Sequence, residues 1–143
     1  MNGVELLLLG RKLTKIGEDA LPTAGLPEYS TSVRTVVIVL ADVAEHPDSA
    51  ICEIATRTGL PQSAVSGAVA RLREADAVVS EPDPADRRRS LIRQNPVVSP
   101  RVREVAETTI DAALARVLVS AEEGVVAEIK EALDTLARHL LRA

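Results

Sequence analysis

At 143 residues, 46% of them hydrophobic and 27% charged, the chain has the size and composition of one globular domain with a core of its own, not of a disordered segment. Phe and Trp are absent and Tyr29 is the single tyrosine, which excludes base stacking on aromatic side chains as a main binding mode. A formal net charge of −4, taken as a total, argues against a polyanionic partner.

The distribution of charge argues differently. Residues 57–94 hold seven arginines (57, 71, 73, 87, 88, 89 and 93) against five acids (74, 76, 81, 83 and 86), a local net of +2 that leaves −6 on the remainder. Local concentration, not the total, sets contact with phosphates. Cys52 has no second cysteine to pair with, and His46 and His139 stand far apart, so neither a disulfide nor a Cys-cluster metal site is expected. Beside Glu53 and without an adjacent base, Cys52 reads as inert packing, not as a redox sensor. Four consecutive leucines before Gly10 and Arg11 are too few for a signal sequence or a membrane span, so the expectation is a soluble cytoplasmic protein. No nucleophile–base pair, paired carboxylates or Gly-rich phosphate loop is visible, and the chain is not expected to be an enzyme; no cofactor is implied.

In chain order, residues 4–17 (VELLLLGRKLTKIG) predict a helix with Leu6, Leu9, Leu13 and Ile16 on one stripe, widened by Leu7 and Leu8. LPTAGLP at 21–27 predicts a linker. A second helix is expected over 30–45, burying Val33, Val36, Val37, Leu40, Val43 and Ala44 and ending at His46–Pro47, with His46 favoured by the helix dipole. Asp48 or Ser49 is expected to cap a third helix running to Thr58, with Ile51, Ile54 and Ala55 inward and Gly59 as its terminator. A fourth helix from Pro61 to Ala75 should bury Val65, Ala68, Val69 and Leu72, with Pro61 in its first turn.

The period then changes from helical to alternating. VVSE (78–81) and SLIRQ (90–94), joined by PDPADRRR, predict a two-stranded hairpin with a long tip. Ser99–Pro100 opens a helix carried to residue 119, with Val102, Val105, Ile110, Ala113, Leu114 and Val117 as its apolar set. A capping box over 120–123 (SAEE) precedes a last helix whose Val126, Ile129, Leu133, Leu136 and Leu140 form a helix–helix seam.

Within 51–72 (ICEIATRTGLPQSAVSGAVARL), Ala55, Gly59 and Val65 supply the small contact residue, the turn glycine and the β-branched anchor that a helix-turn-helix needs. A hairpin directly after the second of these helices makes it a winged helix. The fold class expected is mainly α: a winged helix-turn-helix with a two-stranded β wing and N- and C-terminal dimerisation helices. One domain spans 1–143, with 30–98 as the winged-helix lobe and 1–20 and 100–143 as the dimerisation helices. On the helix 61–75 the face turned from the core holds Gln62, Ser63, Ser66, Gly67, Ala70 and Arg73. Gln pairs well with adenine, and Ser meets several base edges.

At these residues the chain resembles the MarR family of bacterial transcription regulators. The resemblance extends over nearly the whole chain, and its most specific part is the wing motif acidic-x-Arg-x-x-x-aliphatic, matched by Asp86, Arg88 and Ile92. Arg71 in VARL also matches. Gly67 stands where the family often has a larger polar residue, and QNPVVSP lacks the family's usual Leu-Thr plus glycine. The resemblance implies a homodimer joined through the terminal helices, with Leu6, Leu9, Leu13, Ile129, Leu133, Leu136 and Leu140 in the seam. It implies that Gln62, Ser63, Ser66, Gly67, Arg71 and Arg73 face a major groove and that Arg88 enters the adjacent minor groove. Asp86 is expected to orient a guanidinium, and Arg87, Arg89 and Arg93 to contact phosphate or hold the wing to the body.

The function so implied is that of a sequence-specific double-stranded DNA-binding regulator. It would be a repressor on a pseudo-palindromic operator, with half-sites about 34–36 Å apart. A small-molecule effector would relieve it from a cleft for which the sequence offers only the junction around Pro22–Tyr29 and the second helix. The rival reading is a winged helix used for protein interaction or dimerisation without DNA, which Gly67, the short polar face and the acidic balance favour.

Overall fold

Val39, Val43, Ile54, Val65 and Ile92 are fully buried together, and the cluster they form brings four helices and a hairpin into one unit. The structure, a computed structural model, describes residues 1–22, 32–118 and 122–141. It divides into two compact units, Thr23–Glu107 and Met1–Pro22 with Thr108–Ala143. Beyond Pro22, the predicted linker over 21–27 and the Pro22–Tyr29 junction lie outside the described residues, as do the start of the second helix at Ser30 and the cap at Ser120.

The first unit opens with α2 (Val33–Glu45), capped by Ser32, whose Oγ accepts the Thr35 N–H at 3.2 Å. Its buried stripe is not the expected one. Val39 and Val43 are buried with Val36 and Leu40 packed beside them, while Val37 is 45% exposed and Ala44 is exposed. In VVIVLA nearly every position is apolar, so the run carries no phase, and tertiary packing selects the face.

α3 (Ile51–Thr58) starts one or two residues later than expected, because Ser49 is claimed by the sheet. The Ser49 N–H donates to the Ile92 carbonyl at 3.1 Å and the Ile92 N–H returns to Ser49 at 2.9 Å. Ala50 becomes the N-cap. Having no side-chain acceptor, it relies on Glu53, whose Oε2 takes the Ala50 N–H at 2.7 Å. Gly59 ends the helix in the left-handed region (φ 71°), returning its N–H to Ala55. α4 (Gln62–Glu74) follows, with Pro61 as its N-cap and Val65, Ala68, Val69 and Leu72 buried as the periodicity requires.

The α4 terminus is a Schellman turn built on Asp76 (φ 54°) instead of glycine: Ala77 N–H reaches Leu72 and Asp76 N–H reaches Arg73. β1 (Val78–Pro82) and β2 (Ser90–Gln94) pair antiparallel, Val78 opposite Gln94 and Pro82 opposite Ser90, so the proline falls at the last pair. Ser99 caps α5 (Pro100–Glu107) through the Val102 N–H at 3.2 Å and donates its hydroxyl to the Ala75 carbonyl at 2.8 Å.

The expected single helix over 100–119 is two elements. α5 stays with the winged-helix unit, packing Val102 on its core. α6 (Asp111–Val117) belongs to the second unit. The break falls at Thr108–Thr109–Ile110, three β-branched residues in sequence that disfavour helix.

In the second unit α1 (Gly3–Ala20) begins at a capping box, Asn2 Oδ1 accepting the Glu5 N–H at 3.0 Å and Glu5 accepting the Asn2 N–H at 2.7 Å. Ile16, Ala113 and Leu114 form a small core, against which Leu13 from α1 and Val126 and Ile129 from α7 (Glu123–Leu140) pack. Lys130 reaches Asp111 at 2.5 Å, and Arg116 donates to the Asp19 carbonyl.

A polar lock joins the elements of the first unit. Arg57 on α3 grips Asp42 on α2 with three bonds, Nε–Oδ1 at 3.0 Å, Nε–Oδ2 at 3.2 Å and Nη2–Oδ2 at 2.7 Å, and also donates to Ser49 Oγ at 2.7 Å. Ser49 Oγ in turn donates to the His46 carbonyl, and the Asp42 side chain is only 10% exposed. Arg57→Ala takes from that carboxylate the guanidinium that binds both its oxygens. The expected loss is about 1–2 kcal/mol, since the pair is partly solvated, and urea unfolding of the variant measures it.

Candidate nucleic-acid interface

The wing tip is shaped by its own aspartates. Asp83 closes the tip by donating its N–H to the Arg89 carbonyl at 2.9 Å, and its Oδ1 accepts the Ala85 N–H at 2.9 Å. Asp86 Oδ1 accepts the Arg88 N–H at 3.1 Å, and its carbonyl accepts the Arg89 N–H at 2.9 Å. The expectation that Asp86 orients a guanidinium is corrected here. It folds the backbone beneath the arginines instead, because a short Asx side chain reaches the N–H two residues on more readily than a long side chain's end.

The tip arginines then divide. Arg87 and Arg88 are exposed, and among the described residues neither takes an ion-pair partner. Arg89 reaches back to Glu53 on α3, Nη2–Oε1 at 3.3 Å. Arg93 lies across the sheet, Nη2 on Glu81 at 2.6 Å and Nη1 on Asp48 at 3.3 Å, and both carboxylates hold it in the charged form. Arg89 and Arg93 therefore fasten the wing to the body, one of the two roles expected of them. The Glu53 carboxyl is held below its usual range, first by the Ala50 N–H and then by Arg89, so it is ionised at neutral pH.

On α4 the structure places Gln62, Ser63, Ser66 and Arg73 on the exposed face, with Ala70 among them. Gly67 and Arg71 are half-buried at its edge. At about 100° per residue, Gln62, Ser66, Ala70 and Arg73 share one arc of the helix, with Val65, Ala68 and Leu72 turned away from it and Val69 at its margin. The face is short in side chains, so its backbone comes close to whatever it meets. α4 and the wing are parts of one unit, tied by Ser99 and by Asn95, whose Nδ2 donates to the Asp76 carbonyl at 2.9 Å.

Of the residues expected in a dimer seam, Leu13 and Ile129 pack on the small core of the second unit and Leu133 is half-buried. Leu6 (59%), Leu9, Leu136 and Leu140 (72%) are exposed, and Leu7 and Leu8 with them. Cys52, read from the sequence as packing, is exposed: it lies on the outer side of α3, while Ile54 and Ala55 take the inner one. Sequence reasoning missed Glu53 altogether. It becomes an N3 acceptor only once the cap shifts from Asp48 or Ser49 to Ala50, a shift that the long-range pairing of Ser49 with Ile92 imposes.

Among the described residues no helix is long and apolar enough to cross a membrane, and no cluster of His, Cys, Asp or Glu has the arrangement of a metal site. A search of curated proteins finds no match. A MarR-family profile matches residues 34–89, from the first turn of α2 to the end of the wing tip. Among solved structures, a MarR-family transcriptional regulator from Rhodococcus sp. RHA1 is 25% identical, with 94% of this chain and 91% of that one covered and a TM-score of 0.52. The C80S mutant of MarR from E. coli is 12% identical, covering 95% and 96%, with a TM-score of 0.61. The PcaV regulator of Streptomyces coelicolor, solved with its natural ligand, is 19% identical, covering 94% and 89%, with a TM-score of 0.52. The profile lies on the helix-turn-helix and wing just described, and the fold is shared with these regulators: over residues 34–89 the chain matches the MarR family, and its architecture is that of a winged-helix transcription regulator.

Proposed function

We propose that this regulator is a homodimeric, sequence-specific repressor of transcription that acts in the cytoplasm, binds a pseudo-palindromic operator and is relieved by a small ligand. The observation that carries the reading is the wing tip: two exposed arginines without an ion-pair partner, Arg87 and Arg88, on a hairpin tied to the end of an exposed polar helix face. A net charge of −4 does not oppose it, because screening limits each charge to about 8–10 Å and the tip meets a phosphate well before the acidic remainder does. Gln62, Ser63, Ser66, Gly67, Arg71 and Arg73 are assigned to the major groove, and Arg88 to the minor groove with Asp86 shaping its support. The ligand step has its parallel in the Streptomyces regulator solved with its natural ligand.

A gel shift with the duplex upstream of the gene, titrated with salt, tests the reading. Binding that weakens linearly in log–log coordinates is expected. Absence of binding at low salt would leave the winged helix as a protein-interaction module.

Dimerisation is supported by the exposed leucines of α1 and α7, a larger apolar surface than a monomer keeps in water. Leu6→Asp with Leu9→Asp is expected to give monomers in sedimentation and to weaken operator binding at least tenfold, since two half-sites no longer act together. A dimer that persists at micromolar concentration would remove α1 from the seam.

A further inference from the structure

Glu53 and Arg89 are the one pair, among the described residues, in which an acid of the helix-turn-helix engages an arginine of the wing tip. The contact is long (3.3 Å), and both side chains are more than 40% exposed, so water reaches it and a stronger anion can displace it. Arg93, by contrast, is shared between two carboxylates, Glu81 at 2.6 Å and Asp48 at 3.3 Å. The four arginines of 87–93 thus fall into three states: two without ion-pair partners, one held by a single acid and one held by two.

We propose that Glu53 is a built-in competitor for DNA, holding Arg89 in reserve and setting the affinity of the wing below what its arginine content allows. This rests on the DNA-binding reading above and deepens it. A phosphate approaching the wing must displace the Glu53 carboxylate from Arg89 before it gains a third arginine contact, and the freed carboxylate is then left near the polyanion. Glu53 also accepts the Ala50 N–H through its other oxygen, Oε2, so helix capping keeps the competing oxygen, Oε1, where Arg89 meets it. The carboxylate therefore cannot swing out of the way without uncapping α3.

A double-mutant cycle tests the proposal. Wild type, Glu53→Gln, Arg89→Ala and the double variant are titrated by fluorescence anisotropy against the upstream duplex and a random-sequence duplex over a range of salt. A glutamine side chain keeps an oxygen for the Ala50 N–H, and thermal melts check that all four proteins fold alike. Glu53→Gln is expected to raise affinity roughly three- to tenfold on both duplexes and to steepen the salt slope by about 0.9 per subunit. Arg89→Ala should cost little in the wild type and remove the whole gain when combined with Glu53→Gln. If Arg89→Ala costs equally in both backgrounds, the gain comes from charge removal alone and the proposal fails. If Glu53→Gln weakens binding, Glu53 positions Arg89 for DNA and the proposal is reversed. Wild type that binds neither duplex would overturn the DNA-binding reading and this inference together, an outcome distinct from binding without coupling.

Discussion

Arg88→Ala is expected to weaken binding to duplex DNA by roughly tenfold or more at physiological salt and to lower the salt slope by about 0.9 per subunit. Adding Arg87→Ala brings the loss for a dimer to the order of 10²–10³-fold. The size follows from counterion release: each arginine that meets the backbone frees about one condensed cation. Neither arginine has an internal ion-pair partner to lose, so the substitutions change contact with DNA and not the fold. Their supporting turn, made by Asp86 and Asp83, uses main-chain N–H groups that alanine retains. Salt-dependent anisotropy with equal circular-dichroism spectra would show this. An unchanged slope would take the wing tip out of the interface.

The second large effect lies beneath the wing. Ile92 is 1% exposed and touches the main core, while its backbone pairs with Ser80 on one side and Ser49 on the other. Ile92→Ala is expected to cost about 3 kcal/mol in urea unfolding, with a fall in Tm of roughly 10 °C; Ile92→Val should cost about 1 kcal/mol. Because the same residue joins hairpin and helix entry, the alanine variant should also lose DNA affinity more than its folded fraction explains. A loss under about 0.5 kcal/mol would mean that the hairpin is not anchored by this side chain.

What the sequence made legible follows from where its signals were local. The buried set of α4 was readable from its helical spacing, although the helix is one residue shorter at each end than expected, with Pro61 as N-cap; the strands were readable because the pattern changes to short alternating segments bounded by turn-forming residues. α2 was readable as a helix but not in its phase, since a nearly unbroken apolar run gives every face the same claim. The α3 cap was misplaced because the competitor for Ser49 is Ile92, and no local rule can see a partner that distant in sequence. The capping box at Asn2 and Glu5 was local and simply passed over. Among the wing arginines, proximity to the motif singled out Arg88. Which of its neighbours are neutralised depends on Glu53, Glu81 and Asp48, acids that the fold delivers and the spacing does not announce.

The bonds that run from the end of α4 to the hairpin have a consequence for the duplex. Asp76, Ala77, Asn95 and Ser99 join the helix terminus to the strand end with main-chain and side-chain bonds of 2.8–2.9 Å, leaving little freedom for the hairpin to swing against the helix. On the proposed DNA-binding reading, helix and tip act as a calliper of fixed gauge. Such a tool cannot adjust to grooves of different width, so the duplex must come to it. Sequences rich in compliant pyrimidine–purine steps can be drawn to the gauge cheaply, while stiff tracts resist. Part of the discrimination between DNA sites would then reside in the mechanics of base pairs that no side chain touches.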